Sequence, residues 1–151
     1  MKIIVLKRKV EFHSIVVITP LIIGSLIYIL WRSDTIRIFD WLNLIGLSIT
    51  VERLRGLSML IYPYIPEWVV YSLPNGLWAF SYAFLITIIW WRNESYVKYF
   101  WLGSIPILGL GYESLQFRGV IQGTFCWQDL ILCILGIGSG VITGILVRGK
   151  D

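Results

Sequence analysis

The chain has 151 residues, of which 57% are hydrophobic and only 15% charged, with a mean hydropathy of +0.76. That balance excludes an ordinary soluble domain, whose surface needs more polar side chains, and points to one small all-α integral membrane domain. The net charge of +4 needs no nucleic acid to account for it, because cations beside spans serve topology and anionic lipid headgroups.

A basic tail with Lys2, Lys7, Arg8 and Lys9 leads into the first predicted span, residues 14–31. The apolar run continues through Tyr28, Leu30 and Trp31 with no small-residue cleavage site behind it, so it reads as a retained signal anchor. Residues 36–50 then place Arg37, Asp40 and Asn43 at helical spacing among Phe39, Trp41, Leu42 and Leu44. This is the pattern of a helix lying in the membrane interface, with a tilted helix that only seals the bundle as the alternative. Glu52, Arg53 and Arg55 make a polar knot at 51–56, and residues 57–73 are apolar again but broken by Pro63 and Pro66. Proline interrupts a helix and removes a backbone donor, so this stretch is predicted to be a re-entrant or interfacial segment.

The second span is predicted over residues 74–91, opening on Pro74, Asn75 and Gly76, with Asn75 either a helix cap or a polar site group. The third, residues 99–117, places Gly109, Glu113 and Gln116 at offsets of four and three, on one helix face. The fourth, residues 127–147, carries Gly136, Gly140 and Gly144 as a small-xxx-small packing seam, with Asp129 and Cys133 on the same stripe. About four transmembrane helices with an interfacial or re-entrant segment between the first and second is therefore the expected architecture.

Trp and Tyr near the proposed ends suit the headgroup level, and the cations set the orientation. The N-terminal tail, Arg92 with Lys98, and Arg148 with Lys150 fall on one side; Arg32, Arg37, Arg53, Arg55 and Arg118 fall on the other. Both termini are expected on the cytoplasmic side.

Carboxylates at membrane depth face a bundle interior or a wet cavity, which makes Glu113 and Asp129 the leading functional candidates. Packing of the third span on the fourth is expected to bring Glu113, Gln116 and Asp129 together near the outer ends of both helices. The link 118–126 then folds over them, and Arg118 is the candidate counter-charge. A purely structural Glu/Arg/Asp network is the competing reading.

The pattern Glu113-x-x-Gln116, a Gly-rich link, Thr124-Phe125, Asp129, then Gly136 and Gly140 resembles the VanZ-like integral membrane family, small multi-span bacterial proteins named for one associated with teicoplanin resistance. The resemblance lies in residues 74–144. It departs at Gly123, where the family usually has arginine, at Cys133, where it usually has asparagine, and at Asn75 and Trp78, where acidic residues and histidine are common. It implies a cell-envelope protein of the bacterial cytoplasmic membrane, linked to antibiotic resistance and without an established enzymatic activity. Its polar residues Glu113, Gln116, Arg118, Thr124 and Asp129 would bind a lipid-linked or lipophilic, glycopeptide-type molecule in an outer-facing pocket.

Two other readings stay open. An accessory subunit of a larger membrane complex would dock through the Gly-rich helices, with Gly109, Gly136, Gly140 and Gly144 as packing positions. An enzyme would use Glu113 and Asp129 as acid and base, but no nucleophile stands beside a base. The single histidine, His13, removes histidine triads and most zinc sites, and Cys126 and Cys133, seven residues apart, lie about two turns apart and too far for a disulfide if both are helical. No cofactor, metal ion or nucleic acid is expected; membrane lipid, membrane-protein partners or a second copy of the chain are.

Overall fold

The structure is a computed structural model that describes residues 2–33, 37–121 and 125–149, with side chains from Lys9 onward. Among these residues there are helices and turns and no strand: α1 (Lys2–Trp31), α2 (Arg37–Leu44), α3 (Ser48–Ser58), α4 (Glu67–Tyr71), α5 (Leu73–Trp90), α6 (Val97–Phe117) and α7 (Trp127–Gly149). Helix is the physically economical choice, because it satisfies each backbone polar group within its own segment where no water is at hand.

Three segments are long and apolar enough to cross a membrane, Lys9–Trp31, Leu73–Trp90 and Trp127–Gly149. The fourth expected span exists as a helix, α6, with 21 residues. Lys98, Ser104, Glu113 and Gln116 keep its apolar content below that of the other three. Large apolar side chains on α1 and α7, among them Ile15, Ile22, Leu135, Ile142 and Leu146, stand exposed. Patches of that extent suit contact with lipid and not with water.

α5 is the hub. Half of it is buried, against 11% of the apolar part of α1 and 22% of α7. On one side Phe84 and Ile88 pack on Val17 of α1. On another, Ala83 and Ile86 meet Ile105 of α6, where the Tyr82 hydroxyl bonds the Ser104 hydroxyl at 2.6 Å and Trp90 stacks on Trp101.

The glycine seam of α7 turns to α5. A Cβ at Gly136 would strike the Gly76 carbonyl and one at Gly140 the Phe80 carbonyl, while at Gly144 it would meet the Thr87 side chain at 2.8 Å. Higher numbers on one helix meet higher numbers on the other, so α5 and α7 run parallel and their backbones nearly touch. The seam, whose partner helix the sequence left open, is thus received by α5. α6 meets α7 more lightly, with Ile137 filling the space beside Gly109.

In the connection between α1 and α5, the stretch 36–50 expected as one helix is divided between α2 and the start of α3. α2 ends at Leu44 and the chain turns at Gly46, whose φ of +75° lies in the left-handed region that glycine favours. The polar knot at 51–56 lies within α3. Its Arg55 donates to the Ile29 carbonyl at 2.5 Å and to the Arg32 carbonyl at 2.8 Å, with its guanidinium over the Phe39 ring. Ser58 adds a bond to the Leu30 carbonyl at 3.4 Å, and the Trp31 indole donates to the Ser58 carbonyl. Arg55 thus satisfies the carbonyls that the C-terminal end of α1 leaves without intrahelical partners, where a cation also suits the helix dipole. Pro63 and Pro66 break the following chain into a 3₁₀ turn, Tyr62–Tyr64, and the short α4.

Arg55→Ala is expected to cost about 1–3 kcal/mol of stability, the range for losing hydrogen bonds from a charged donor. A melt of the purified protein in detergent measures it against Arg53→Ala, whose parent side chain is exposed. Equal midpoints for the two variants would remove the capping role.

Candidate functional site

Four helix ends meet at one end of the bundle: the C-terminal ends of α1 and α6 and the N-terminal ends of α5 and α7. Between them lies a cavity of about 830 Å³. Its wall holds Glu113 and Gln116 of α6, Asp129, Gln128 and Cys133 of α7, Asn75 and Trp78 of α5, Arg32 just past α1, and Glu67 and Tyr71 of α4. The expected convergence of Glu113, Gln116 and Asp129 is therefore present, with α5 between α1 and the acid-bearing helices.

Glu113 is only 5% exposed. The Cys126 backbone N–H donates to its carboxylate, and the charge of Asp129 acts on it. Yet Glu113 Oε2 and Asp129 Oδ1 are sealed from solvent with no hydrogen-bond partner. Buried carboxylate oxygens ordinarily find a donor, so two bare ones on residues that line one cavity require an explanation. Asp129 lies in the first turn of α7, where the helix dipole favours negative charge.

Arg118 does not enter this cavity. It stands five residues beyond Glu113, about 140° round a helix of 3.6 residues per turn. There it is exposed and borders a second, apolar hollow with Ile107, Leu108 and Leu115. The cation on the cavity wall is Arg32. It donates to the Tyr71 carbonyl at 3.2 Å and lies over the Tyr28 and Tyr71 rings at 5.2 and 4.8 Å. Its Nε is buried without a partner.

Asn75 makes no capping bond, since Ser72 holds the N-cap position of α5 without a side-chain bond; the Asn75 side chain lines the cavity instead. Thr124 lies outside the described residues, as do Gly123 and the centre of the link. Cys126 and Cys133 both border the cavity as free thiols. Among the described residues no group of three His, Cys, Asp or Glu side chains is arranged to hold a metal ion.

Sequence reasoning missed Arg32. Its position directly behind Trp31 read only as a flanking charge, because the tyrosines that hold it come from the same helix four residues earlier and from α4, far along the chain. No family model matches this chain, and no curated protein or solved structure does either.

Proposed function

We propose that this is a multi-pass protein of the bacterial cytoplasmic membrane, VanZ-like in kind and not an enzyme. Its cavity opens toward the outer face and binds an amphipathic molecule, a lipid-linked precursor or a lipophilic glycopeptide-type compound. The observation that carries the reading is Glu113, buried and with one oxygen unpartnered on the wall of a cavity large enough for a head group. The apolar hollow on the outer side of α6 shares Leu108 and Tyr112 with the cavity, so polar and apolar chambers adjoin. That adjacency suits a molecule with one polar and one apolar end. Mild-detergent purification followed by native mass measurement tests the proposal: a retained amphiphile supports it, and a clean apoprotein under conditions that keep lipid on other membrane proteins counts against it.

In this reading four helices cross, α1, α5, α6 and α7, with both termini cytoplasmic, in line with the cation bias. Single cysteines placed at Glu94, in the exposed α5–α6 turn, and at Val120, exposed beyond α6, provide the check. With the native thiols changed to serine, an impermeant maleimide added outside intact cells is expected to label Val120→Cys and to spare Glu94→Cys. Equal labelling of both would mean that α6 does not cross.

A second reading, an accessory subunit of a larger membrane assembly, draws on α6. Its Gly103 and Gly111 have open space where a Cβ would lie, and small residues on an open face let another helix approach. The seam of α7 is already covered by α5, so docking through Gly136, Gly140 or Gly144 would require the bundle to part. Stoichiometric proteins retained in the same purification would favour this reading.

A further inference from the structure

The polarity of the cavity is divided. The two carboxylates with bare oxygens, Glu113 and Asp129, sit on α6 and α7, whereas Arg32 is fixed against α1 and α4 by Tyr28 and Tyr71. Ionised carboxylates accept and cannot donate, so an N–H or O–H group entering the cavity from outside the described residues would meet two acceptor groups at Glu113 and Asp129. A simple anion at Arg32 would face Glu113, Asp129 and Glu67 across the same space. A simple cation would neutralise the carboxylates but leave the buried Arg32 Nε without an acceptor.

Resting on the amphiphile reading above, we propose that the cavity is a head-group site for a zwitterionic amphiphile, with its primary ammonium at Glu113 and Asp129 and its anionic group at Arg32. A primary ammonium brings three N–H donors to the two carboxylates; a quaternary one brings none. Arg32, a planar fork held in place by two rings, suits a phosphate or carboxylate. The apolar tail leaves over Leu108 and Tyr112 into the hollow of about 550 Å³ on the outer side of α6, beside Ile107 and Leu115. Each half of the ligand thereby meets the chamber that matches its polarity.

The test is competition for the full-length protein in detergent, read by native mass spectrometry. Equal amounts of phosphatidylethanolamine, phosphatidylcholine and phosphatidylglycerol with identical acyl chains are offered. Phosphatidylethanolamine is expected to be retained at least tenfold over each of the others. Glu113→Gln with Asp129→Asn should bring it level with phosphatidylcholine, and Arg32→Gln should lower both of these zwitterionic lipids together. Soluble glycerophosphoethanolamine, the same head without a tail, should compete at least a hundredfold less well; equal competition would make the head alone the ligand and overturn the amphiphile. Wild-type retention without head preference, or with phosphatidylglycerol preferred, overturns the zwitterion assignment and leaves the amphiphile reading standing. Retention of no lipid at all overturns the amphiphile reading itself. The wild-type preference decides the matter even if a variant fails to fold.

Discussion

Replacing Gly136 by leucine is expected to destabilise the folded bundle severely, while Gly138→Ala, two residues along the same helix, leaves it intact. The contrast follows from what each position faces. A Cβ at Gly136 would fall on the Gly76 carbonyl and close to the Phe80 backbone nitrogen, whereas nothing lies within 4 Å of one at Gly138. Backbone atoms cannot swing aside as a side-chain tip can, so even a methyl group forces α5 and α7 apart. That separation also breaks the contacts around Gly140 and Gly144, since one parallel interface carries all three.

Overpacking of a tight site typically costs 1–3 kcal/mol, occasionally more, and a leucine between two backbones belongs at or above about 3 kcal/mol. Where a Cβ meets nothing, as at Gly138, alanine is instead favoured over glycine in a helix by up to about 1 kcal/mol. Size-exclusion profiles and melting midpoints of Gly136→Leu, Gly136→Ala and Gly138→Ala in detergent should fall in that order of increasing stability. A Gly136→Leu protein that elutes and melts like the parent would mean that α7 does not pack on α5 through this seam.

That interface also marks where sequence pattern stops being sufficient. Small residues at intervals of four announce close packing but not the helix that receives it. α6 is the chain neighbour joined by the short link, yet α5 is the partner. A trace of this was present on α5: Gly76, Ala83 and Thr87 recur at offsets of seven and four, a small-residue stripe matching the seam of α7. The helix ends were far more legible, because Trp31, Trp90 and Trp127 sit where apolar runs meet polar sequence, and α1, α5 and α7 end or begin at them. α1 extends back to Lys2, past the polar tail that composition alone excludes from a span. The connection before α5 was the least legible, since the knot around Arg55 has meaning only against carbonyls some 25 residues upstream.

The site shows the same division. Glu113 and Gln116 share a face by simple helical spacing, and Asp129 begins the next helix across a short link, so local pattern sufficed to bring them together. The counter-charge depended on tertiary structure. Arg118 is near in sequence but turned away by helical geometry, and Arg32 is remote in sequence but brought in by the packing of α1 on α5 and α4.

Glu113→Gln is expected to keep or raise stability while it removes ligand retention, and this pairing separates a functional carboxyl from a structural one. In the parent, one carboxylate oxygen has the Cys126 N–H, and Oε2 has no partner. Glutamine keeps an acceptor for Cys126 and brings N–H donors toward Asp129, whose Oδ1 is equally bare. Satisfying a buried polar group that was unpaired is worth about 1–3 kcal/mol. A removed charge also spares the desolvation that a buried ion carries, which is why apolar replacements of buried ionic groups are often neutral or stabilising. Were Glu113 instead the centre of a network that holds the bundle, the same substitution would break it, stability would fall by about 3–5 kcal/mol and the midpoint would drop with it. Melting curves and native mass spectra of one preparation read both quantities. A variant that melts at or above the parent yet loses at least tenfold in bound amphiphile identifies a carboxyl kept at the expense of stability for its ligand, the conflict expected where function overrides packing. A lower midpoint with retention unchanged would return Glu113 to the architecture.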